Sequence, residues 1–294
     1  MSSSPADLSL RPATLIAPRS PSFTHYLDPV RFVRHLWRHR DLIRQFTRRE
    51  VEGRYRGSFL GLFWSFLHPL ALLAVYTFVA GVVFRARWPG SSSGGLGEFA
   101  LLLFCGLLAF NVLAECMNRA SGLILAVPSY VKKVVFPLEV LPVALLGSAL
   151  FHALASLAVL LVFDYLARGS LPWTVALIPL AMVPLAFLTL GLTWVLASLG
   201  VFLRDLGYAT PLVVQVLFFA TPVIYPLESV PEPLRGALRL NPMAWVVEAF
   251  RRLIFRGVVL EWGALGAWAL VTGAFMLFGY AWFMKSKKGF ADVM

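Results

Sequence analysis

Two arginines flank an aromatic residue where the chain turns apolar: Arg54, Tyr55 and Arg56 precede a long hydrophobic run that contains Trp64. The guanidinium group presents paired donors that suit phosphate, so both arginines are candidates for attracting the phosphate or diphosphate head of a lipid. Basic and aromatic side chains at such a boundary also act as plain interfacial anchors. Both interpretations stay open. The neighbours that would assist are Arg44, Arg48 or Arg49.

The residue pattern offers little for catalysis. The carboxylates of the basic N-terminal segment, Asp41, Glu50 and Glu52, alternate with arginines as ion partners. Cysteines, histidines and carboxylates do not recur at ligand spacings, so we predict no metal site. The chain has no phosphate-binding glycine loop followed by lysine and Ser or Thr, so ATP and Mg²⁺ would be bound by another chain. We predict a non-catalytic protein without a cofactor of its own, and a membrane-embedded enzyme of glycolipid or polysaccharide synthesis is the alternative.

The composition indicates that a membrane surrounds these residues. Of 294 residues, 59% are hydrophobic and 14% charged, whereas soluble domains are about 25% charged. The net charge of +11 would suit a nucleic-acid partner only on a folded soluble face, and here the arginines and lysines cluster beside apolar segments. We therefore predict an all-α polytopic membrane protein with membrane lipids, and no nucleic acid, as partners.

The N-terminal part divides into two segments. Residues 1–28 are rich in serine and proline and predict a flexible leader. Asp28 is a plausible N-cap with Pro29 at the first helical position. Apolar residues then recur every three to four positions among arginines, which predicts an amphipathic helix over 29–57 lying along the membrane surface. Beyond it, Gly57 and Gly61 would allow close helix approach.

Six segments are long and apolar enough to span a bilayer, and together they define a permease-like region over 58–285, followed by a tail over 286–294. Most arginines and lysines lie on one side if both termini are cytoplasmic. Five arginines between spans five and six go against that trend. There, two short helices with an apolar face, the second starting at Asn241 and Pro242 with Arg251 and Arg252 off that face, would dip into the outer leaflet. The spans are 58–84, 99–117, 138–166, 174–203, 206–225 and 263–284.

Polar residues inside the spans usually face the protein interior because lipid cannot solvate them. Asn111, Glu115 and Asn118 recur at helical spacing on one face of span two. His152 in span three could carry a proton, but it has no carboxylate at helical spacing, which favours a packed and hydrogen-bonded ring.

Several motifs together carry a family resemblance. The basic helix leads into Arg54 to Pro69, a cytoplasmic loop carries Val127 to Pro137, and Leu141 is followed by Pro142. An Arg204-Asp205 turn joins spans four and five, and Asn241-Pro242 lies in the outer region. Over about residues 29–285, this combination resembles the permease subunits of ABC-2 type exporters of O-antigen, capsular polysaccharide and teichoic acid.

The resemblance implies an assembly and a location. Such a permease pairs with a second copy of itself in the bacterial inner membrane, and each copy docks one cytoplasmic ATPase subunit. The dimer forms a channel for a lipid-linked polysaccharide, and periplasmic export partners can follow. A capsule or O-antigen exporter is the expected function, with a teichoic-acid type exporter as an alternative.

The resemblance also implies roles for residues. The proposed cytoplasmic gate comprises Arg54, Tyr55, Arg56 and Trp64. A sugar polymer needs weak, repeated contacts, which aromatic faces supply, and the channel-lining candidates are Phe63, Tyr76, Phe110, Trp194 and Tyr225. The loop between spans two and three would couple to the ATPase through Tyr130, Lys132 and Lys133, although both lysines would also satisfy the charge rule alone.

Overall fold

The computed structural model describes residues 23–83, 96–131 and 136–293, and all regular secondary structure in these ranges is helical. The predicted leader lies mostly outside the described residues, and Lys132 and Lys133 lie outside them entirely. Short 3₁₀ or π-helical turns flank several helices. The helices are α1 (Phe23–Tyr26), α2 (Pro29–Arg38), α3 (Arg40–Tyr55), α4 (Trp64–Tyr76), α5 (Leu96–Leu123), α6 (Pro128–Val131), α7 (Val140–Arg168), α8 (Ile178–Phe202), α9 (Leu206–Phe219), α10 (Glu232–Arg239), α11 (Pro242–Arg251), α12 (Trp262–Ser286) and α13 (Phe290–Val293).

Five helical stretches in the described residues are long and apolar enough to cross a membrane, which confirms the all-α polytopic fold. The predicted fifth span is different, because α9 is helical for only 14 residues. Its helix ends at Phe219, shortly before Pro222, which has no N–H to continue it. The sixth crossing therefore stays a prediction. The five stretches are Gly61–Val79, Gly97–Leu123, Val140–Arg168, Trp173–Phe202 and Trp262–Val293.

Helix α5 is the centre of the bundle and packs against α7, α8, α9 and α11. Small residues allow the closest helix contacts, as is common where lipid supplies no hydrophobic driving force. A Cβ atom on Gly200 of α8 would lie 2.1 Å from the carbonyl oxygen of Ser121 in α5, and one on Gly279 of α12 would lie 2.5 Å from that of Gly191 in α8. These helices therefore touch backbone to backbone.

The prediction that Gly57 and Gly61 permit close helix approach is wrong. A Cβ atom at either position would meet nothing within 4 Å. Both residues have positive φ, 85° and 50°, a conformation that glycine adopts without steric cost. They shape the turn between α3 and α4.

The predicted amphipathic segment consists of two helices that meet at His39. Asp28 caps α2 as expected, since its carboxylate accepts hydrogen bonds from the backbone N–H groups of Val30 and Arg31. Phe32 is buried between the rings of Trp194 and Tyr280. The opposite face of α2 remains exposed and apolar at Val30, Val33 and Trp37, as expected of a helix that lies on a membrane surface.

Glu139, the residue immediately before α7, links α2 to the helical bundle through its carboxylate. Its carboxylate lies 2.7 Å from Nε2 of His35 in α2 and 2.8 Å from Nζ of Lys287 after α12, and its carbonyl accepts the indole N–H of Trp194. Burial raises the pKa of Glu139, but the contacts with His35 and Lys287 outweigh burial and hold that pKa at about 2. The carboxylate therefore stays ionised at neutral pH, and the stability it contributes is lost only as pH falls toward that value.

Helices α10 and α11 are the two short helices predicted between spans five and six. Asn241 caps α11 by accepting a hydrogen bond from the N–H of Met243. Their position relative to the bilayer stays a prediction. Arg251 is not off the apolar face, as predicted, but buried. Its guanidinium donates to the carbonyl of Leu102 in α5 and to those of Pro222 and Val223, which the turn after α9 leaves without helical partners.

Two other arginines between α9 and α12 are also paired. Arg252 and Arg256 both lie near the carboxylate of Glu248. Internal pairing thus accounts for some of the positive charge that goes against the topology rule.

Candidate functional site

A cleft of about 820 Å³ lies between the end of α3, helix α4 and the facing sides of α5 and α7. Its lining is unusually polar for a bundle of apolar helices. The polar and aromatic residues that line it are Arg54, Tyr55, Ser58, Trp64, Ser65, His68, Tyr76, Asn111, Glu115, Asn118, Arg119, His152 and Ser156. Because polar groups are costly in lipid, this concentration marks the cleft as the candidate functional site.

A charge network occupies one wall of the cleft. Nη1 of Arg54 lies 2.8 Å from Oε1 of Glu115. Arg119, one turn further along α5, lies 3.8 Å from the same oxygen and also pairs with Glu50 of α3. Two guanidinium groups thus converge on one carboxylate, so the donors for an anion are assembled and already in use.

His152 of α7 completes the network. Its Nδ1 lies 2.9 Å from Nη1 of Arg54 and 3.4 Å from Oε2 of Glu115. The shorter contact requires an unprotonated Nδ1, because arginine can only donate. The proton then lies on Nε2, which is buried and has no hydrogen-bond partner among the described residues. The ring therefore has unused hydrogen-bonding capacity.

Tyr55 borders the same network, with its ring edge-on to the imidazole of His152 at 5.9 Å between centroids. Partial burial raises the pKa of Tyr55 above its ordinary value, an effect that Arg54 opposes and Glu115 reinforces. The phenol thus stays protonated at neutral pH and can donate a hydrogen bond.

The structure brings together part of the predicted site. Arg54, Tyr55 and Trp64 of the proposed gate line the cleft, as does Tyr76 of the proposed channel wall. Arg56 and Phe63 do not line it, although both are exposed nearby. Their substrate contacts stay predictions.

The other channel candidates lie away from the cleft. Trp194 is fully enclosed beside Phe32, and Phe110 is buried against Phe218. Tyr225 is partly exposed and donates its hydroxyl to the carbonyl of Phe219. These aromatic side chains contribute packing or a local hydrogen bond in the single subunit.

The predicted coupling loop begins with α6, where Pro128 starts a short helix as expected. Tyr130 stacks on Phe136 at 4.5 Å between ring centroids and packs edge-on against Phe46 of α3. Nη1 of Arg49 lies 3.5 Å from the Tyr130 hydroxyl. The loop is therefore tied to the helix that carries Arg54.

The approach of His152 to Glu115 was not predicted. The two residues lie on different helices, so helical spacing within one segment could not reveal it. A signal existed in the face formed by Asn111, Glu115 and Asn118, all of which line the cleft.

Among the described residues, no group of histidine, cysteine and carboxylate side chains is arranged to hold a metal ion.

A bundle of long apolar helices with a polar cleft defines an all-α polytopic membrane protein. The chain belongs to the ABC-2 type transporter family, whose model matches residues 41–255. It is 31% identical over 266 residues to the O-antigen export system permease protein RfbA of Myxococcus xanthus, which covers 90% of this chain and 99% of that protein.

Two further relatives share the family with lower identity. The O-antigen export system permease protein RfbA of Klebsiella pneumoniae is 27% identical over 256 residues, covering 86% of this chain and 95% of that protein. The polysialic acid transport protein KpsM of Escherichia coli is 25% identical over 243 residues, covering 79% and 88%. The similarity thus extends over nearly the full length of these relatives.

Proposed function

We propose that this chain is the permease subunit of an ABC transporter that exports a lipid-linked cell-surface polysaccharide, an O-antigen or a capsule, across the bacterial inner membrane. The observation that carries the proposal is the polar cleft at the start of α4, lined by Arg54, Tyr55 and Trp64. The names of the relatives support the class of cargo. The chain itself performs no chemistry, and separate ATPase subunits hydrolyse ATP.

Each part of the cleft suits one part of a lipid-linked glycan. Arg54 and Arg119 remain about half exposed, 49% and 41%, and can meet a phosphate approaching along the membrane surface. The aromatic faces of Trp64 and Tyr76 can contact sugar rings without binding any one ring tightly. Asn111 and Asn118 supply hydrogen bonds between these regions.

A second copy of the chain would complete the channel. Helix α4 and the helical turn after it expose apolar side chains in the single subunit, as at Phe66, Val75 and Phe78. The exposed face of α9, which includes Leu212 and Val216, is similar. Pairing of two copies would cover such faces and place two clefts next to each other.

The ATPase would act through the α6 loop. A displacement of α6 would reach α3 through the Tyr130 contacts with Phe46 and Arg49. Helix α3 ends at Tyr55, next to Arg54, so the same displacement would move the gate. In this proposal Lys132 and Lys133 contact the ATPase, and both chain termini lie in the cytoplasm.

Arg54→Ala tests the proposal. We expect glycan export to fall by about tenfold, because the variant lacks one charge-assisted contact with the phosphate head. The measurement is surface glycan in cells whose sole permease is the variant, normalised to the amount of permease in the membrane fraction.

Arg48→Ala is the matched control. Arg48 was one of the arginines expected to assist Arg54, but it is 79% exposed, pairs with Glu52 and does not line the cleft, so the proposal gives it no role. Its replacement removes the same charge from the same surface, so export should stay near the wild-type level. Equal export by both variants, at equal protein amounts, contradicts the proposed role of the cleft.

A further inference from the structure

We infer that Glu115 is an internal counter-anion: it pairs with the arginines of the cleft, and a diphosphate head group replaces it there. The inference rests on the proposed function and adds how the site selects its ligand. In this inference, Glu115 and His152 change their bonding partners when the head group enters the cleft.

Glu115 lies at the arginine N–H groups that a phosphate in the cleft would also use. Nη1 of Arg54 and Nη1 of Arg119 both point to Oε1 of Glu115, at 2.8 and 3.8 Å. The carboxylate is 15% exposed, whereas both guanidinium groups are far more exposed. A phosphate in the cleft can therefore reach both guanidinium groups, and it gains Nη1 of Arg54 only where that group leaves Oε1 of Glu115.

The charges define which head groups gain from the exchange. Arg54 and Arg119 are balanced by Glu115 and Glu50, so the intact network has no net charge to attract an anion. A phosphodiester head carries one negative charge and gains little over the carboxylate it replaces. A lipid diphosphate carries at least two negative charges and gains a stronger interaction with both arginines. The network thus favours a diphosphate over the surrounding phospholipids.

His152 gives the displaced carboxylate a new partner. In the observed arrangement its Nδ1 accepts from Arg54, at 2.9 Å. When Arg54 turns to the phosphate, the Nδ1–H tautomer can donate to Oε2 of Glu115, which is already 3.4 Å away. The buried carboxylate then keeps a hydrogen bond, which limits the cost of leaving it without arginine.

The distinguishing variant is Glu115→Gln, which keeps the shape of the side chain and removes its charge. We expect its affinity for farnesyl diphosphate to rise about tenfold, because the arginines no longer have a competing anion. Its preference for farnesyl diphosphate over the phosphodiester phosphatidylglycerol should shrink. Export should nevertheless fall, because the head group is no longer exchanged back for the carboxylate.

Binding is measured calorimetrically with the purified full-length protein in phosphatidylcholine nanodiscs. Arg54→Gln should bind farnesyl diphosphate about tenfold more weakly than the wild type. Glu248→Gln is the matched control, since that carboxylate also lies near two arginines but is outside the cleft. It should bind like the wild type. If Glu115→Gln does not fold, Glu50→Gln frees Arg119 alone and should raise the affinity by a smaller factor.

The outcomes separate the inference from the proposed function. Unchanged or weaker binding by Glu115→Gln, with weaker binding by Arg54→Gln, makes Glu115 a support for the arginines and overturns the exchange alone. Unchanged binding by both variants overturns the site itself. Inorganic pyrophosphate should bind more weakly than farnesyl diphosphate, and equal binding would assign the site to a free anion and overturn the lipid ligand.

Discussion

Arg251→Met is expected to destabilise the folded protein by at least about 2 kcal/mol, because methionine has no donor and leaves the carbonyls of Pro222 and Val223 without their partner. The guanidinium group donates to the carbonyl oxygens of Leu102, Pro222 and Val223, at 3.3, 2.8 and 2.6 Å. Each buried carbonyl left without its partner costs about 1–3 kcal/mol. The side chain is only 1% exposed, so water cannot replace the lost donors.

Thermal unfolding of the purified protein in detergent measures this effect. The midpoint should fall by about 4 °C, since 1 kcal/mol shifts the midpoint of a large domain by about 2 °C. Arg256→Met is the control, because Arg256 is 47% exposed and pairs with Glu248. A midpoint for Arg251→Met as high as that of the control would show that Arg251 does not hold α5, α11 and the turn after α9 together.

Gly200→Ala is expected to separate α5 from α8. The added methyl group would lie 2.1 Å from the carbonyl oxygen of Ser121 and 2.7 Å from its carbonyl carbon, and these backbone atoms cannot turn away as a side chain can. Overpacking of this kind costs about 1–3 kcal/mol, occasionally more. Because α5 carries Glu115 and Arg119, the shift should also reduce export.

Gly122→Ala provides the comparison for this substitution. Gly122 follows Ser121 in α5, and a Cβ atom there would meet nothing within 4 Å. Alanine in an exposed helical position is favourable by up to about 1 kcal/mol, so this variant should be at least as stable as the wild type. If both alanine variants unfolded at the wild-type temperature, the close contact between α5 and α8 would be contradicted.

The helices that depend on local chemistry were predictable from the sequence. Asp28 and Asn241 start their helices as expected, because an N-cap is specified by neighbouring residues. The long apolar segments were also predictable, because bilayer thickness sets the length of a spanning helix. Helix α9 is shorter than its apolar run, and Pro222 follows it closely.

The contacts between helices were not predictable from a single sequence. Arg251 was expected off the apolar face, and its three acceptor carbonyls come from segments distant in the chain. Trp194 was a channel candidate, yet it is enclosed by Phe32 and Tyr280. Aromatic residues suit sugar contacts, lipid and packing equally well, so residue type alone could not separate these roles.

The site itself was half predictable. Arg54 and Tyr55 were singled out by their place at the start of an apolar run, and both line the cleft. Their partners Glu115 and His152 come from α5 and α7, at sequence separations of 61 and 98 residues from Arg54. Only the packing of these helices reveals that the four side chains form one site.

Photo-crosslinking tests whether the glycan passes through the cleft. The photoreactive amino acid p-benzoylphenylalanine replaces Trp64 in one variant and Phe66 in another. Both residues are 41% exposed and lie two positions apart, but only Trp64 lines the cleft. In cells that synthesise the glycan and express the ATPase, we expect position 64 to crosslink to lipid-linked glycan and position 66 not to. Equal capture at both positions, or capture from position 66 alone, would contradict passage of the glycan through this cleft.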